Sequence, residues 1–211
     1  MADVCMSTTT PTLPALRCLG DLADVRPIIV IDTREQTPLV FDNLASEPDA
    51  LQSGDYSFRG AENLFAIERK SIADLVACCV GDNRDRFFRE LHRLRGFRFK
   101  RLLIVGSQAE IEAGDYRSGI TPKAVLSTLR AIEVRFDVPV VFSATPALAA
   151  RQVELWAHWF AREIVEATNE LARGSGLTRR KGAATPPVVR NLCPRSKSAR
   201  SDTRVELSVE P

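Results

Sequence analysis

The chain has 211 residues, 45% hydrophobic and 27% charged, with a formal net charge of +2. That length suits one domain with a proper core plus appendages, and is short for two large domains. No apolar run approaches the roughly 18 residues of a membrane span, and the first twenty residues lack the basic start and continuous apolar core of a secretory signal, so a soluble intracellular setting is expected.

Cysteines occur at Cys5, Cys18, Cys78, Cys79 and Cys193. The odd count, with no CxxC pair and no clustered histidine, argues against a disulfide framework and a zinc site. The small net charge hides a segregation: residues 171–211 carry nine Lys+Arg against three acids, and the rest is mildly acidic. Within the body, "DNRDRFFRELHRLRGFRFKR", residues 82–101, carries eight bases and three acids. A patch of this kind, including Arg84, Arg86 and Arg89, favours polyanions, although arginine-rich helix faces are often only solvated.

Residues 1–24 are Thr/Pro-rich and aperiodic and read as an unstructured leader. "PIIVIDTRE" supplies a β-branched run, Ile28 to Ile31, with the composition of a buried strand. "SGDYSFRG" and "NLFAIER" read as two extended segments joined by the turn "GAEN", a hairpin. Ser71 is the expected N-cap of a helix from Ile72 to about Cys79, with Asp74 as its first-turn acid. "GDN" breaks that helix, and a second is expected from about Asp85 to Arg95, with Phe87, Phe88, Leu91 and Leu94 on one face.

"RLLIVG", Arg101 to Gly106, reads as a core strand followed by a loop. "TPKAVLSTLRAIEVRF" opens a helix with Thr121 and Pro122, "VPVVFS" is a strand, and the segment from "TPALAARQ" reads as a long helix through Trp156, Phe160 and Ile164. The strand–helix–strand–helix pattern over 101–170 implies parallel pairing, and with the early hairpin it makes an α/β fold with a mixed sheet flanked by helices. The expected division is leader 1–24, folded domain 25–170, and disordered basic tail 171–211.

The stretch "FAIERKSIADL", Phe65 to Leu75, sets three charges at the end of an apolar strand. Side chains alternate faces along a strand, so Glu68 and Lys70 point the same way, about 6.6 Å apart, and Arg69 points the other way. A carboxylate and an ammonium on one face suit metal-assisted hydrolysis: the first holds a divalent cation, the second faces its water or a phosphate oxygen. One carboxylate is a weak anchor for Mg²⁺. Asp55 begins the partner strand of the hairpin, and Asp32 and Glu35 close the first strand, so all three are candidates for the same edge. Singly, each has an ordinary explanation: Asp55 as a turn aspartate, Asp32 as a strand-end acid, Asp74 as a helix first-turn acid.

"IDTRE", then "GDY", then "IERKSIADL" resemble the XPF-type nuclease domain, whose signature is GD, a variable gap, ERK, three residues and Asp. That family is related to the PD-(D/E)xK, restriction-endonuclease-like enzymes. The resemblance spans about Pro27 to Asn169. It implies a restriction-endonuclease-like fold and a metal-dependent DNA endonuclease, selective for DNA structure, of the kind used in DNA repair, recombination or replication. Asp55 and Glu68 would bind Mg²⁺ or Mn²⁺, with the Arg69 carbonyl as a further ligand. Lys70 would orient or help deprotonate the attacking water. Asp32 and Glu35 look like supporting acids at the metal site, Arg34 and Arg69 like phosphate-side or structural arginines, and Asp74 like the terminal Asp of the signature. Arg86 resembles the arginine that approaches the DNA backbone, and a cytoplasmic or nucleoid-associated location follows.

Two departures bear on this. The residues after Glu170 lack the apolar periodicity of the helix-hairpin-helix modules that usually follow this domain, so a homodimer or a partner protein would have to supply that function, in part with the basic tail. Many relatives carry a glutamate in the strand where this chain has Val105 and Gly106. No GxxxxGK[ST] motif is present, so any unwinding belongs to another protein. The competing readings are an inactive DNA-binding module on the same scaffold, which leaves the retention of Asp55, Glu68 and Lys70 unexplained, and a regulatory protein with an arginine-rich helix, which leaves the grouped acids unexplained.

Overall fold

The computed structural model describes residues 26–174. The expected leader and, from residue 175 on, the expected basic tail lie outside the described residues.

Among the described residues six strands form one mixed sheet in the order β2-β1-β3-β4-β5-β6. β1 (Ile29–Asp32) runs antiparallel to β3 (Tyr56–Phe58), and β3 antiparallel to β4 (Phe65–Ser71), which is the expected hairpin. β4, β5 (Phe99–Val105) and β6 (Val140–Ser143) are parallel neighbours. Parallel strands need a crossover, and helices supply those among β4, β5 and β6. α1 (Ile72–Ala77) and α2 (Gly81–Leu94) join β4 to β5; α3 (Gln108–Ala113) and α4 (Pro122–Phe136) join β5 to β6. α5 (Pro146–Gly174) follows β6 and continues past Glu170.

The alternation of β4 and β5 feeds two cores. Ala66, Leu102 and Ile104 pack with Leu75, Phe87, Leu91, Val125 and Ile132 of the α1–α4 layer. Phe65, Ile67 and Leu103 pack with Val153, Ala157 and Phe160 of α5 on the other face. Leu102, Leu103 and Ile104 are fully buried, each contributing about 1.5–3 kcal/mol, and they make β5 the spine of the domain.

Three elements differ from the sequence reading. β2 (Ser46–Asp49) is an edge strand parallel to β1, and its sequence SEPD has no β-branched or aromatic residue and carries a proline; only pairing with β1 makes it a strand. α3 fills what reads as a loop, held by a reciprocal cap in which Ser107 Oγ accepts from Glu110 N–H and the Glu110 carboxylate accepts from Ser107 N–H. "GDN" belongs to the first turn of α2, so that helix begins four residues earlier than expected.

At the departure from the family pattern, Val105 is half-buried on the α5 face. A Cβ on Gly106, whose φ is +139°, would lie 2.5 Å from Ile72 Cγ1. The close packing of β5 on α1 therefore requires glycine there.

α5 also ties down the connection between β1 and β2. Buried Glu154 accepts from the backbone N–H groups of Asn43 (2.7 Å) and Leu44 (3.0 Å) and from Asn43 Nδ2 (2.7 Å). Among the described residues no helix is long and apolar enough to cross a membrane.

Candidate active site

The site forms where β1, β3 and β4 end together beneath α2. Asp55 extends β3: its N–H donates to Ile67 O (2.8 Å) and its carbonyl accepts from Asp32 N–H (2.9 Å). Gly54 before it has φ +79°, and a Cβ there would sit 3.0 Å from Ile67 O, so the glycine lets β3 lie against β4. The Asp55 carboxylate then accepts from the backbone N–H of Arg69 (2.7 Å), which sets it beside Glu68.

Glu68 and Lys70 share the α2-facing side of β4, as alternation requires, and Lys70 Nζ donates to Glu68 Oε1. The ammonium also lies 5.5 Å from the centre of the Phe87 ring. Arg69 points to the other face, where its guanidinium grips Glu35 through Nε (3.1 Å) and Nη2 (3.0 Å) and Thr37 Oγ1 through Nη2 (2.6 Å). Asp32 accepts from Arg34 Nε (2.7 Å), Arg34 Nη2 (3.0 Å) and the backbone N–H groups of Arg34 and Leu51.

Burial and charge separate the acids into two kinds. Burial opposes the charge of Asp32, yet the bonds from Arg34 outweigh it and hold the carboxyl below its ordinary value. Glu35 is likewise held low, Arg69 outweighing burial. Asp55 behaves oppositely: burial, with the neighbouring Glu68 charge added, pushes it up to about 7. Burial also pushes Glu68 up, against the pull of Lys70. Burial works against the Lys70 charge, but the Glu68 carboxylate prevails and holds the ammonium above its ordinary value. Asp55, half-buried, and Glu68, buried, thus form a crowded carboxylate pair, and Lys70 is a firmly protonated cation bonded to Glu68.

A pit of about 190 Å³ is lined by Asp32, Asp55, Glu68 and Lys70. Beside it lies an open cleft of about 570 Å³ that shares Arg34, Asp55, Lys70, Arg86 and Glu90 with the pit and adds Glu35, Arg69 and Asp74. The wall opposite β4 is one face of α2.

With this geometry in view, residues 31–155 match the family model of the ERCC4 domain. The chain belongs to the ERCC4-domain family. This is the XPF-type nuclease grouping that the IDTRE, GDY and ERK motifs resemble. Among solved structures the ERCC4 domain here is similar to XPF from Aeropyrum pernix, at 16% identity and a TM-score of 0.52, covering 71% of this chain and 72% of that one. It is also similar to XPF from Aeropyrum pernix in complex with DNA, at 18% identity and a TM-score of 0.52, covering 65% of this chain and 66% of that one. At such identity the likeness speaks for the fold: the restriction-endonuclease-like mixed α/β sheet. No curated protein matches the chain significantly in sequence.

Within the ERCC4 domain, Asp32, Arg34, Glu35, Asp55, Glu68, Arg69, Lys70, Asp74 and Arg86 all line the cleft or its pit. Asp74 also closes the cap of α1, where its carboxylate accepts from Ser71 N–H and Oγ. Arg84 and Arg89 line neither cavity. Arg84 lies 4.7 Å from the Phe88 ring centre and donates to Cys79 O (3.3 Å), which ties α2 to the end of α1. Arg89 is exposed elsewhere on α2.

The sequence reading missed Glu90 and Arg93, which face the pit from α2 together with Arg86. Their spacing of four and three residues marks one helix face and was visible in the sequence.

Proposed function

We propose that this chain is a divalent-metal-dependent DNA endonuclease, selective for DNA structure. The observation that carries the reading is the crowded Asp55–Glu68 pair, pushed toward protonation, with the Lys70 ammonium against it at the foot of an open cleft.

The donor set fits Mg²⁺ or Mn²⁺. Two hard oxygen ligands crowded in a dry place favour a cation over two unshared charges, and among the described residues no larger His/Cys/Asp/Glu group forms a complete protein cage. Mg²⁺ is commonly held by one or two carboxylates, with waters and substrate phosphate oxygens completing its shell. Asp55 and Glu68 would hold the ion, with the Arg69 carbonyl as a further ligand and Asp32 and Glu35 as supporting acids. When bound, the ion supplies charge neutralisation at the phosphate and acidifies a water.

The residues of the chain do the rest. Lys70 is held protonated, so it acts as a fixed positive charge and hydrogen-bond donor to the phosphate or the attacking water rather than as the base. Arg86 and Arg34, both strongly exposed at the cleft, offer donors to the DNA backbone. In the reaction a water oxygen forms a bond to phosphorus, one P–O ester bond breaks, the leaving oxygen gains a proton, and the products are a phosphate monoester and a hydroxyl end.

Such an enzyme would work on branched DNA in repair, recombination or replication, in the cytoplasm or at the nucleoid. A second copy of the chain or a partner protein would add to the grip on DNA. The test incubates the full chain with flap, fork, four-way junction, single-stranded and linear duplex DNA in Mg²⁺, Mn²⁺ or EDTA. Metal-dependent cutting that disappears in Asp55→Asn and Glu68→Gln supports the proposal. Binding without cutting in any metal overturns it in favour of an inactive DNA-binding module.

A further inference from the structure

Two arginines flank the carboxylate pair, each bound to one acid, and they differ in what they can reach. The Arg69 side chain is 12% exposed and its partner Glu35 6%, so that pair is largely covered and meets the cleft only as part of its wall. The Arg34 side chain is 72% exposed, although its partner Asp32 is 2% exposed.

Asp32 is saturated. Oδ1 accepts from Arg34 N–H (2.9 Å) and Arg34 Nε (2.7 Å); Oδ2 accepts from Arg34 Nη2 (3.0 Å) and Leu51 N–H (2.7 Å). An ionised carboxylate offers about four lone-pair sites, so none is left for a cation unless Arg34 or the backbone withdraws. Arg34 Nη2 also donates to Leu51 O (2.8 Å), which fixes the guanidinium plane. Nη1 makes no hydrogen bond among the described residues, and Arg34 lines both the pit and the cleft. A guanidinium held on one edge, with the other edge free at an anion-binding cleft, has given up its rotamer freedom before a ligand arrives.

We infer that Asp32 is a positioning residue rather than a metal ligand, and that it presents Arg34 as a preformed clamp for a phosphodiester oxygen of the DNA backbone at the mouth of the pit. The inference deepens the nuclease reading, on which the identity of the anion rests. It gives neighbouring acids different work: among the described residues Asp55 accepts only a backbone N–H and Glu68 gives only one oxygen to Lys70, so both keep oxygens for a cation, whereas both oxygens of Asp32 are filled by Arg34 and Leu51.

The test uses the full chain and the variants Arg34→Gln, Asp32→Asn, Asp55→Asn and the double variant Asp32→Asn/Arg34→Gln, each checked for folding by thermal melting. Mn²⁺ affinity is measured calorimetrically without DNA. Affinity for one fixed forked oligonucleotide is measured in EDTA over a range of salt concentrations. Arg34→Gln and Asp32→Asn are each expected to weaken DNA binding about 5- to 10-fold and to lower the salt slope by about one, a single lost phosphate contact. Both should keep Mn²⁺ affinity within about twofold, whereas Asp55→Asn loses about tenfold or more. The double variant should bind DNA no more weakly than Arg34→Gln alone, because the two residues act as one unit.

A loss of Mn²⁺ affinity in Asp32→Asn equal to that in Asp55→Asn overturns the inference, as does wild-type DNA affinity and salt slope in Arg34→Gln. If Asp32→Asn does not fold, Arg34→Lys decides. It keeps the charge but loses the two-pronged hold on Asp32, so weaker DNA binding supports the clamp and wild-type binding overturns it. Failure of the nuclease reading shows elsewhere, as no cleavage in any metal and unchanged Mn²⁺ affinity in Asp55→Asn, and the DNA-affinity comparison still decides the clamp.

Discussion

The backbone N–H of Arg69 donates to Asp55 Oδ2 at 2.7 Å, so the residue that separates Glu68 from Lys70 is bonded to the carboxylate those two side chains must work with. The spacing of the acids is thereby set by the hairpin itself. A one-residue slip between β3 and β4 would move Asp55 and Glu68 apart and turn Lys70 to the opposite face.

The charge crowding in this pair makes a first prediction. Asp55 titrates at about 7 in the fold against an ordinary 3.8, so its contribution to stability is fully present below about pH 3.8 and is lost as pH rises through about 7. The metal-free protein should therefore melt progressively lower between pH 4 and 7. Asp55→Asn should flatten that dependence and raise the metal-free melting temperature at pH 8 by several degrees, while abolishing cleavage. Added Mn²⁺ should raise the wild-type melting temperature at pH 8 and leave that of Asp55→Asn nearly unchanged. Calorimetric melts across pH, with and without metal, check all three outcomes.

Lys70 gives a second prediction. Removing its charge in Lys70→Met leaves Glu68, 4% exposed, without its cation. The Glu68 carboxyl is then driven still higher, so the variant should lose stability as pH rises and match the wild type more closely near pH 5. Turnover should fall on the order of 10²-fold, the usual loss when one fixed donor to a reacting oxyanion is removed. The double variant Glu68→Gln/Lys70→Met should recover stability at pH 8 but no activity. Melts and single-turnover cleavage at matched pH separate these effects.

How far these features could be read from sequence depends on where their determinants lie. The β3–β4 hairpin and the shared face of Glu68 and Lys70 follow from turn chemistry and from period-two alternation, both local properties. The cap formed by Ser71 and Asp74 is local too. β2 was hidden because SEPD becomes a strand only by pairing with β1, and α3 because six residues hold too little periodicity, although the Ser107–Glu110 spacing is a capping signature. The partners of Arg34 and Arg69 are set by tertiary placement: both arginines sit next to acids in sequence, yet Arg34 bonds two residues back and Arg69 reaches 34 residues away. Glu90 and Arg93 were legible in principle, since they share a helix face with Arg86, but the arginine count of that segment drew attention to Arg84 and Arg89 instead.

Glu154 supplies a third prediction, remote from the chemistry. It holds three donors of Asn43 and Leu44 inside the domain, so Glu154→Ala leaves them unsatisfied. Stability should fall by about 2–4 kcal/mol, with added hydrogen exchange confined at first to the β1–β2 connection. Glu154→Gln, which keeps an acceptor oxygen, should cost about half as much. Chemical denaturation with residue-resolved exchange measures both.

The Glu35–Arg69 pair provides the sharpest contrast with Arg34. Its side chains are 6% and 12% exposed, and removing one member strands the other charge in a poorly solvated place, so Arg69→Met should cost about 3 kcal/mol. Replacing both together, as Glu35→Gln/Arg69→Met, should return most of that loss, since the desolvation of two charges disappears with their attraction. If Arg69 is a strut of the fold, the double variant should show the wild-type salt slope for DNA binding, because a guanidinium locked on Glu35 and Thr37 makes no phosphate contact to lose. A slope lowered by about one would instead place Arg69 on the DNA backbone. Denaturation curves for the single and double variants, read beside their salt titrations, distinguish a covered strut from an exposed clamp in the same site.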